Sequence, residues 1–113
     1  MALEVNGKTV ELDGNGNLVD PNAWDEDVAK ALAAADDTMD ELTQEHMDVL
    51  NYLREQYADG GVQPMERQIN KDMGKIWGKK ISSKDLYRLF PGAPSKQGNR
   101  IAGLPYVARK GGY

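Results

Sequence analysis

The hydrophobic periodicity of this chain changes once, at Asp20-Pro21-Asn22, and that change limits it to a small β element followed by helices. Before it, Leu3-Glu4-Val5 and Thr9-Val10-Glu11-Leu12 alternate apolar and polar residues, the two-residue period of a half-buried strand. Asn6-Gly7 lies between them, and a type I′ hairpin turn favours this pair because both of its central residues need positive φ. Asp13-Gly14-Asn15-Gly16 supplies a second turn ahead of Leu18-Val19, a candidate third short strand. Residues 1–20 therefore read as a hairpin or meander, too small to be stable unless it packs on helices.

Beyond that point the apolar residues recur every three or four positions. Pro21 suits a first helical turn, and Asp25, Glu26 and Asp27 follow where the positive end of the helix dipole favours carboxylates. Trp24, Val28, Leu32 and Ala35 form its expected buried stripe. Thr43 is a natural N-cap for a second helix running to about Asp59, ahead of Gly60-Gly61, with Met47, Leu50, Leu53 and Tyr57 inward. A third helix begins near Pro64, with Met65, Ile69, Met73 and Trp77 on one side and Gly74 and Gly78 weakening its end. Ser82 or Ser83 caps a short fourth helix with Leu86, Leu89 and Phe90 in the core, and Pro91-Gly92 stops it. From Pro94 onward no regular period is visible.

The expected fold is α+β, mainly α: a small helical bundle with a helix-turn-helix-like part, an N-terminal β-hairpin and a C-terminal arm. Residues 1–94 form the globular domain, with the hairpin at 1–20 and helices over 21–91, and residues 95–113 form the arm. A chain of 113 residues suits one domain with one modest core. No apolar run approaches the ~20 residues that span a bilayer, and the acidic N-terminus lacks the order of a signal peptide, so a cytoplasmic, membrane-free protein is expected. The sequence contains no cysteine, which excludes disulfides, thiolate metal sites and persulfide carriage.

Charge is divided unevenly. Residues 1–63 carry fifteen Asp/Glu against three Lys/Arg, a net −12, while residues 64–113 carry eleven Lys/Arg against three Asp/Glu, a net +8. Two readings stand side by side: the basic half steers an anionic partner, or the two halves attract each other within one fold.

Few residues suggest catalysis. The only histidine, His46, lies in the first turn of the second helix beside Glu45 and Asp48, with no nearby nucleophile motif, and reads as a packing or surface residue. Asp36, Asp37, Asp40 and Glu41 cluster between helices but lack the ligand spacing and glycine of a calcium loop, so solvated, helix-capping acids explain them and no metal or cofactor is expected. Gly14-Asn15-Gly16 lacks the Lys-Ser/Thr of a phosphate-cradling loop. Lys79, Lys80, Lys84 and Arg88 on the third and fourth helices are candidate phosphate contacts for an alternative function, a DNA-binding regulator.

The last eighteen residues, Lys96 to Tyr113, are Gly-rich and cationic around an apolar Ile101-Ala102-Gly103-Leu104-Pro105 run, a combination suited to an arm that docks into a partner. Ile101, Leu104 and Tyr106 are candidate anchors within a basic rim of Arg100, Arg109 and Lys110. Of these, Ile101 is the one best suited to pack back on the domain instead.

Glu41-Leu42-Thr43-Gln44-Glu45-His46, Tyr52-Leu53-Arg54-Glu55, Leu86-Tyr87-Arg88-Leu89-Phe90-Pro91 and Lys96-Gln97-Gly98 with Ala102-Gly103-Leu104-Pro105 together resemble the DsrC/TusE family. These are small sulfur-relay proteins that include the gamma subunit of dissimilatory sulfite reductase. Gly7-Lys8, Leu12-Asp13, Gly16, Leu18 and Trp24 extend the likeness over essentially the whole chain. The resemblance implies a helical fold with an N-terminal hairpin and a C-terminal arm that carries sulfur on a penultimate cysteine, with a second cysteine directly after the Lys-Gln-small tripeptide. Here those positions are Gly112 and Asn99, and the segment after Leu104-Pro105 is about two residues longer than in sulfite-reductase partners.

A persulfide needs a thiolate sulfur, which neither an amide nor a glycine supplies. The expected function is thus that of a non-catalytic, regulatory member. It binds protein partners, either sulfite reductase or sulfur-relay components, through its arm.

Overall fold

The computed structural model of the chain describes residues 2–39 and 41–105. Strands β1 (Ala2–Val5) and β2 (Lys8–Glu11) pair antiparallel with Leu3 opposite Val10 and Val5 opposite Lys8. Asn6 and Gly7 both take positive φ, 51° and 81°, as the turn requires. Leu18 continues the meander as a single bridge to Leu12, while Val19 is exposed. Val5, Val10 and Leu18 supply the buried face of this element, and the hairpin packs on α1 (Glu26–Ala34).

The first helical segment is divided. Asp20 caps a 3-10 turn over Pro21–Ala23, and the chain then re-extends at Trp24 and Asp25. Asp25 is the N-cap of α1, its carboxylate accepting from the Val28 N–H at 2.8 Å, rather than a first-turn residue of one helix started by Pro21. Val28, Ala29, Leu32 and Ala33 form the buried face, and Ala35, expected inward, is exposed beyond the helix end.

Helix α2 (Gln44–Ala58) begins at Thr43 in a reciprocal capping box, with His46 in the place usually held by Glu or Gln. Its Nδ1 accepts from the Thr43 N–H at 3.0 Å, so its Nε2–H donates to the Leu89 carbonyl at 2.9 Å, and its ring meets Phe90 edge-on. His46 is a buried structural residue that ties α2 to the Leu89-Phe90 segment. Helix α3 (Glu66–Trp77) buries Ile69 and Met73, whereas Met65, expected inward, stands before its first turn and is 54% exposed. Gly78 ends α3 in the left-handed region at φ 66°. Ser82 caps α4 (Ser83–Leu89), and Leu86, Leu89 and Phe90 are buried. Polar staples join the layers: Tyr52 donates to Asp72, Trp77 Nε1–H to Asp48 at 2.9 Å, and the Tyr87 hydroxyl to Glu66 at 3.1 Å.

The largest departure from the sequence reading is at the C-terminal end. Residues expected to begin the C-terminal arm at 95 form α5 (Pro94–Ile101), which packs against α1, α2, α3 and α4. Its inward face is Ser95, Gly98, Asn99, Ile101 and Ala102, mostly small or polar, so no apolar stripe advertises it. Pro94 at its first turn was the available signal. Gly98 permits the close approach, since a Cβ there would lie 3.0 Å from Leu53 Cδ1. Ile101 and Leu104, candidate docking anchors in the sequence, are 0% and 1% exposed and belong to the core. Burial of their aliphatic side chains contributes roughly 1.5–3 kcal/mol each, which outweighs their use as a surface grip. Among the described residues no helix is long and apolar enough to cross a membrane.

Because α5 completes the core, a chain stopped after Pro94 is expected to lose cooperative thermal unfolding. One stopped after Pro105 keeps it, with a midpoint within a few degrees of the 113-residue chain. Circular dichroism melts of the three proteins check this.

Candidate functional site: the exit of the C-terminal segment

The segment after α5 is held by its carbonyls. Trp24 Nε1–H donates to the Ile101 carbonyl at 2.9 Å, and Arg54 Nη1 donates to that of Ala102 at 2.8 Å. Asn17 Nδ2 donates to the Leu104 carbonyl at 3.0 Å and Gln63 Nε2 to that of Pro105 at 2.9 Å. Four side chains from four separate parts of the chain thus capture four carbonyls within five residues. Arg54 is the hub. Its other nitrogen donates to the Pro21 carbonyl at 3.0 Å, and its guanidinium lies 4.5 Å from the centroid of the Trp24 ring.

Gly103 makes the arrangement possible. It adopts φ 73°, and a Cβ there would lie 2.4 Å from Trp24 Cδ1 and 2.8 Å from Leu18 Cδ1. Only glycine meets both demands. The turn is closed from within by Leu104 N–H to the Asn99 carbonyl at 3.0 Å and Gly103 N–H to that of Arg100 at 3.1 Å.

A second anchor holds the other end of α5. Gln97 Nε2 donates to Asp36 Oδ2 and to Thr38 Oγ1, both at 2.8 Å, while its Oε1 accepts from the Gly92 N–H at 2.7 Å. Arg100 pairs with the same Asp36 carboxylate. Burial disfavours the charge on Asp36, but the hydrogen bonds from Thr38, Gln97 and Arg100 outweigh it and hold its carboxyl well below the usual carboxylate range. Arg100 is therefore a paired, half-buried residue and not a free rim cation. Asn99, which the resemblance alone sets at the position of the family's upstream cysteine, is buried on α5, with Nδ2 donating to the Ser95 carbonyl.

The other candidates are dispersed. Asp36 is consumed by α5, Asp37 and Glu41 are exposed, Asp40 lies outside the described residues, and among the described residues no cluster of three or more potential ligands could hold a metal ion. Gly16, in the candidate phosphate loop, forms a turn beside the Arg100 side chain. Lys79 and Lys80 line a groove on α3, but Lys84 and Arg88, exposed on α4, do not line it. The remaining arm candidates, Tyr106, Arg109, Lys110 and Gly112, also lie outside the described residues. Sequence reasoning missed Asn17 and Gln63 entirely, since a lone amide in a loop carries no pattern. The resemblance marks Trp24, Arg54 and Gly103, and the helical period marks Trp24 as apolar packing, but neither indicates that they hold the carbonyls after α5.

Replacing Gly103 with Ala is expected to cost about 2–5 kcal/mol, from the left-handed backbone and the collision with Trp24 together. Arg54→Lys, which keeps the charge but cannot span both carbonyls, is expected to cost roughly 1.5–3 kcal/mol. Urea denaturation reads both. For Asp36, whose folded carboxyl is the more acidic, the stabilisation is complete above the unfolded pKa of about 3.9 and is lost as pH falls towards the folded value. Asp36→Asn is thus expected to lower the melting temperature at neutral pH, with the gap to the parent narrowing below about pH 4.

Comparison with known proteins gives one consistent result. The family described as DsrC like protein matches residues 4–108. The chain is 38% identical over 104 residues to a protein named sulfurtransferase TusE from Pectobacterium atrosepticum, covering 91% of this chain and 94% of that one. A sulfurtransferase TusE homolog from Haemophilus influenzae is 37% identical over 108 residues, covering 95% and 97%. Among solved structures, the oxidized gamma-subunit of dissimilatory sulfite reductase, DsrC, from Archaeoglobus fulgidus superimposes with a TM-score of 0.88 at 39% identity, covering 97% of this chain and 99% of that one. DsrC from Allochromatium vinosum does so with a TM-score of 0.86 at 42% identity and the same coverage. The hairpin on a helical bundle is thus a shared fold, and this chain belongs to the DsrC/TusE family of sulfur-relay proteins.

Proposed function

We propose that this chain is a non-catalytic, regulatory member of its family that binds a protein of sulfur metabolism through residues 106–113. The single observation that carries this reading is the pairing of an intact exit with an absent thiol. Trp24, Arg54, Asn17 and Gln63 hold the carbonyls of residues 101–105, while the 113 residues contain no cysteine. Sulfur transfer requires a sulfur nucleophile to accept and release a sulfur atom, and no other side chain forms a persulfide. Recognition has no such requirement. Tyr106 offers an aromatic anchor, and Arg109 and Lys110 offer charge for an acidic surface.

Relatives that are a sulfurtransferase and a gamma-subunit of dissimilatory sulfite reductase point to two partner classes, a component of a sulfur relay and a sulfite reductase. A chain that occupies the same receptor groove without bearing sulfur acts there as a competitor of the sulfur-bearing relative.

The test is capture of purified dissimilatory sulfite reductase and of sulfur-relay proteins by the 113-residue chain and by one stopped after Pro105. Capture that falls at least tenfold on truncation is expected, and equal capture by both chains contradicts the proposal. In parallel, incubation with a low-molecular-weight persulfide followed by mass spectrometry should show no covalent sulfur on the parent chain. Gly112→Cys should gain it.

A further inference from the structure

A second surface lies beside the exit. An open groove of about 970 Å³ runs along α3 and is closed on its far side by the 79–83 segment. Five cations line it: Arg67, Lys71 and Lys75 at successive four-residue steps on α3, then Lys79 and Lys80. Side chains four apart on a helix are neighbours, so this stripe places like charges together, which is unfavourable for the isolated helix. The two ion pairs among the described residues, Lys8–Asp25 and Arg100–Asp36, use none of the five. Lys71 and Lys75 act electrostatically on Asp72, whose two oxygens accept from Tyr52 and Gln68, while Lys79 acts on Asp85 and lies 5.8 Å from the centroid of the Trp77 ring. The groove is also partly apolar, with Ile81 in its wall and the exposed Met65 at its edge.

We propose that this groove receives an acidic peptide segment, bearing interspersed apolar residues, from the protein partner that takes the C-terminal segment; this rests on the reading given under the proposed function. Position supports it. Gln63, which holds the Pro105 carbonyl, precedes Met65 by two residues, so one end of the groove adjoins Pro105, the residue to which 106–113 are joined. Charge supports it too. Residues 106–113 contain Arg109 and Lys110 and no Asp or Glu, so an acidic partner surface complements both elements at once. The same charges disfavour those residues as occupants of the groove. An extended nucleic acid is disfavoured by Glu66 in the wall and by the net −12 of residues 1–63, whereas a short acidic segment meets the groove alone.

The probe is a short fluorescent peptide alternating Glu with Leu, compared with its Leu→Ser version and with a single-stranded oligonucleotide of equal charge. Fluorescence anisotropy with the 113-residue chain is expected to give saturable binding of the Glu/Leu peptide, tighter than either comparison ligand. The double variant K71E/K75E should weaken it at least tenfold, while K84E/R88E, which reverses two exposed cations outside the groove, should change it less than about twofold. Circular dichroism establishes that both variants fold. The chain stopped after Pro105 should bind the peptide as the parent does, which separates this test from loss of partner capture on truncation. Absence of saturable peptide binding, equal losses in the two double variants, or preference for the oligonucleotide overturns the proposal.

Discussion

The contact on which the C-terminal half of this molecule depends is the packing of Arg54 and Gly103 against the Trp24 ring. The indole lies within 4.5 Å of the guanidinium on one side, and it approaches the Gly103 backbone so closely that no Cβ fits. Its N–H and the two guanidinium nitrogens then reach the carbonyls of Ile101, Ala102 and Pro21. Carbonyls at a helix C-terminus have no partner within the helix, and leaving them buried and unpaired would be costly. Arg54 and Trp24 meet that requirement for α5, and in doing so they fix the backbone that follows it.

Much of the fold is legible in the sequence because local chemistry and burial agree. The Asn6-Gly7 turn, the Thr43 cap, the Gly60-Gly61 stop and the Leu86, Leu89 and Phe90 core each follow from one residue type meeting one geometric demand. The fold class follows in turn. Helix α5 escapes the same reasoning because its packing uses shape and hydrogen bonds in place of apolar side chains. Gly98 fits Leu53, Gln97 bridges Gly92 to Asp36, and Ser95 and Asn99 are buried although polar. A scale of hydrophobicity reads such a helix as a linker. The site shows the same split: motif likeness marks Trp24, Arg54 and Gly103, while Asn17 and Gln63 act through tertiary position alone.

The separation of scaffold from chemistry explains how a member of a sulfur-relay family can exist without sulfur ligands. No part of the exit depends on a thiol: the contacts that hold residues 101–105 run through an indole, a guanidinium and two amides. Asn99, expected from the resemblance to stand where relatives carry the upstream cysteine, lies within α5 with its Nδ2 bonded to the Ser95 carbonyl one turn earlier. The fit is not perfect, since the buried Asn99 Oδ1 and Ser95 Oγ have no hydrogen-bond partner among the described residues, yet the domain keeps its hold on residues 101–105.

The central claim is that residues 101–105 are an integral part of the folded domain and not the base of a free arm. Native-state hydrogen exchange of the Ala102, Gly103 and Leu104 amides, followed by NMR, tests this most directly. The account expects these three amides to exchange only through global unfolding, at the free energy that protects the buried centre of α2 around Leu50 and Leu53. Exchange close to the unstructured-peptide rate, with α2 still protected, would contradict it.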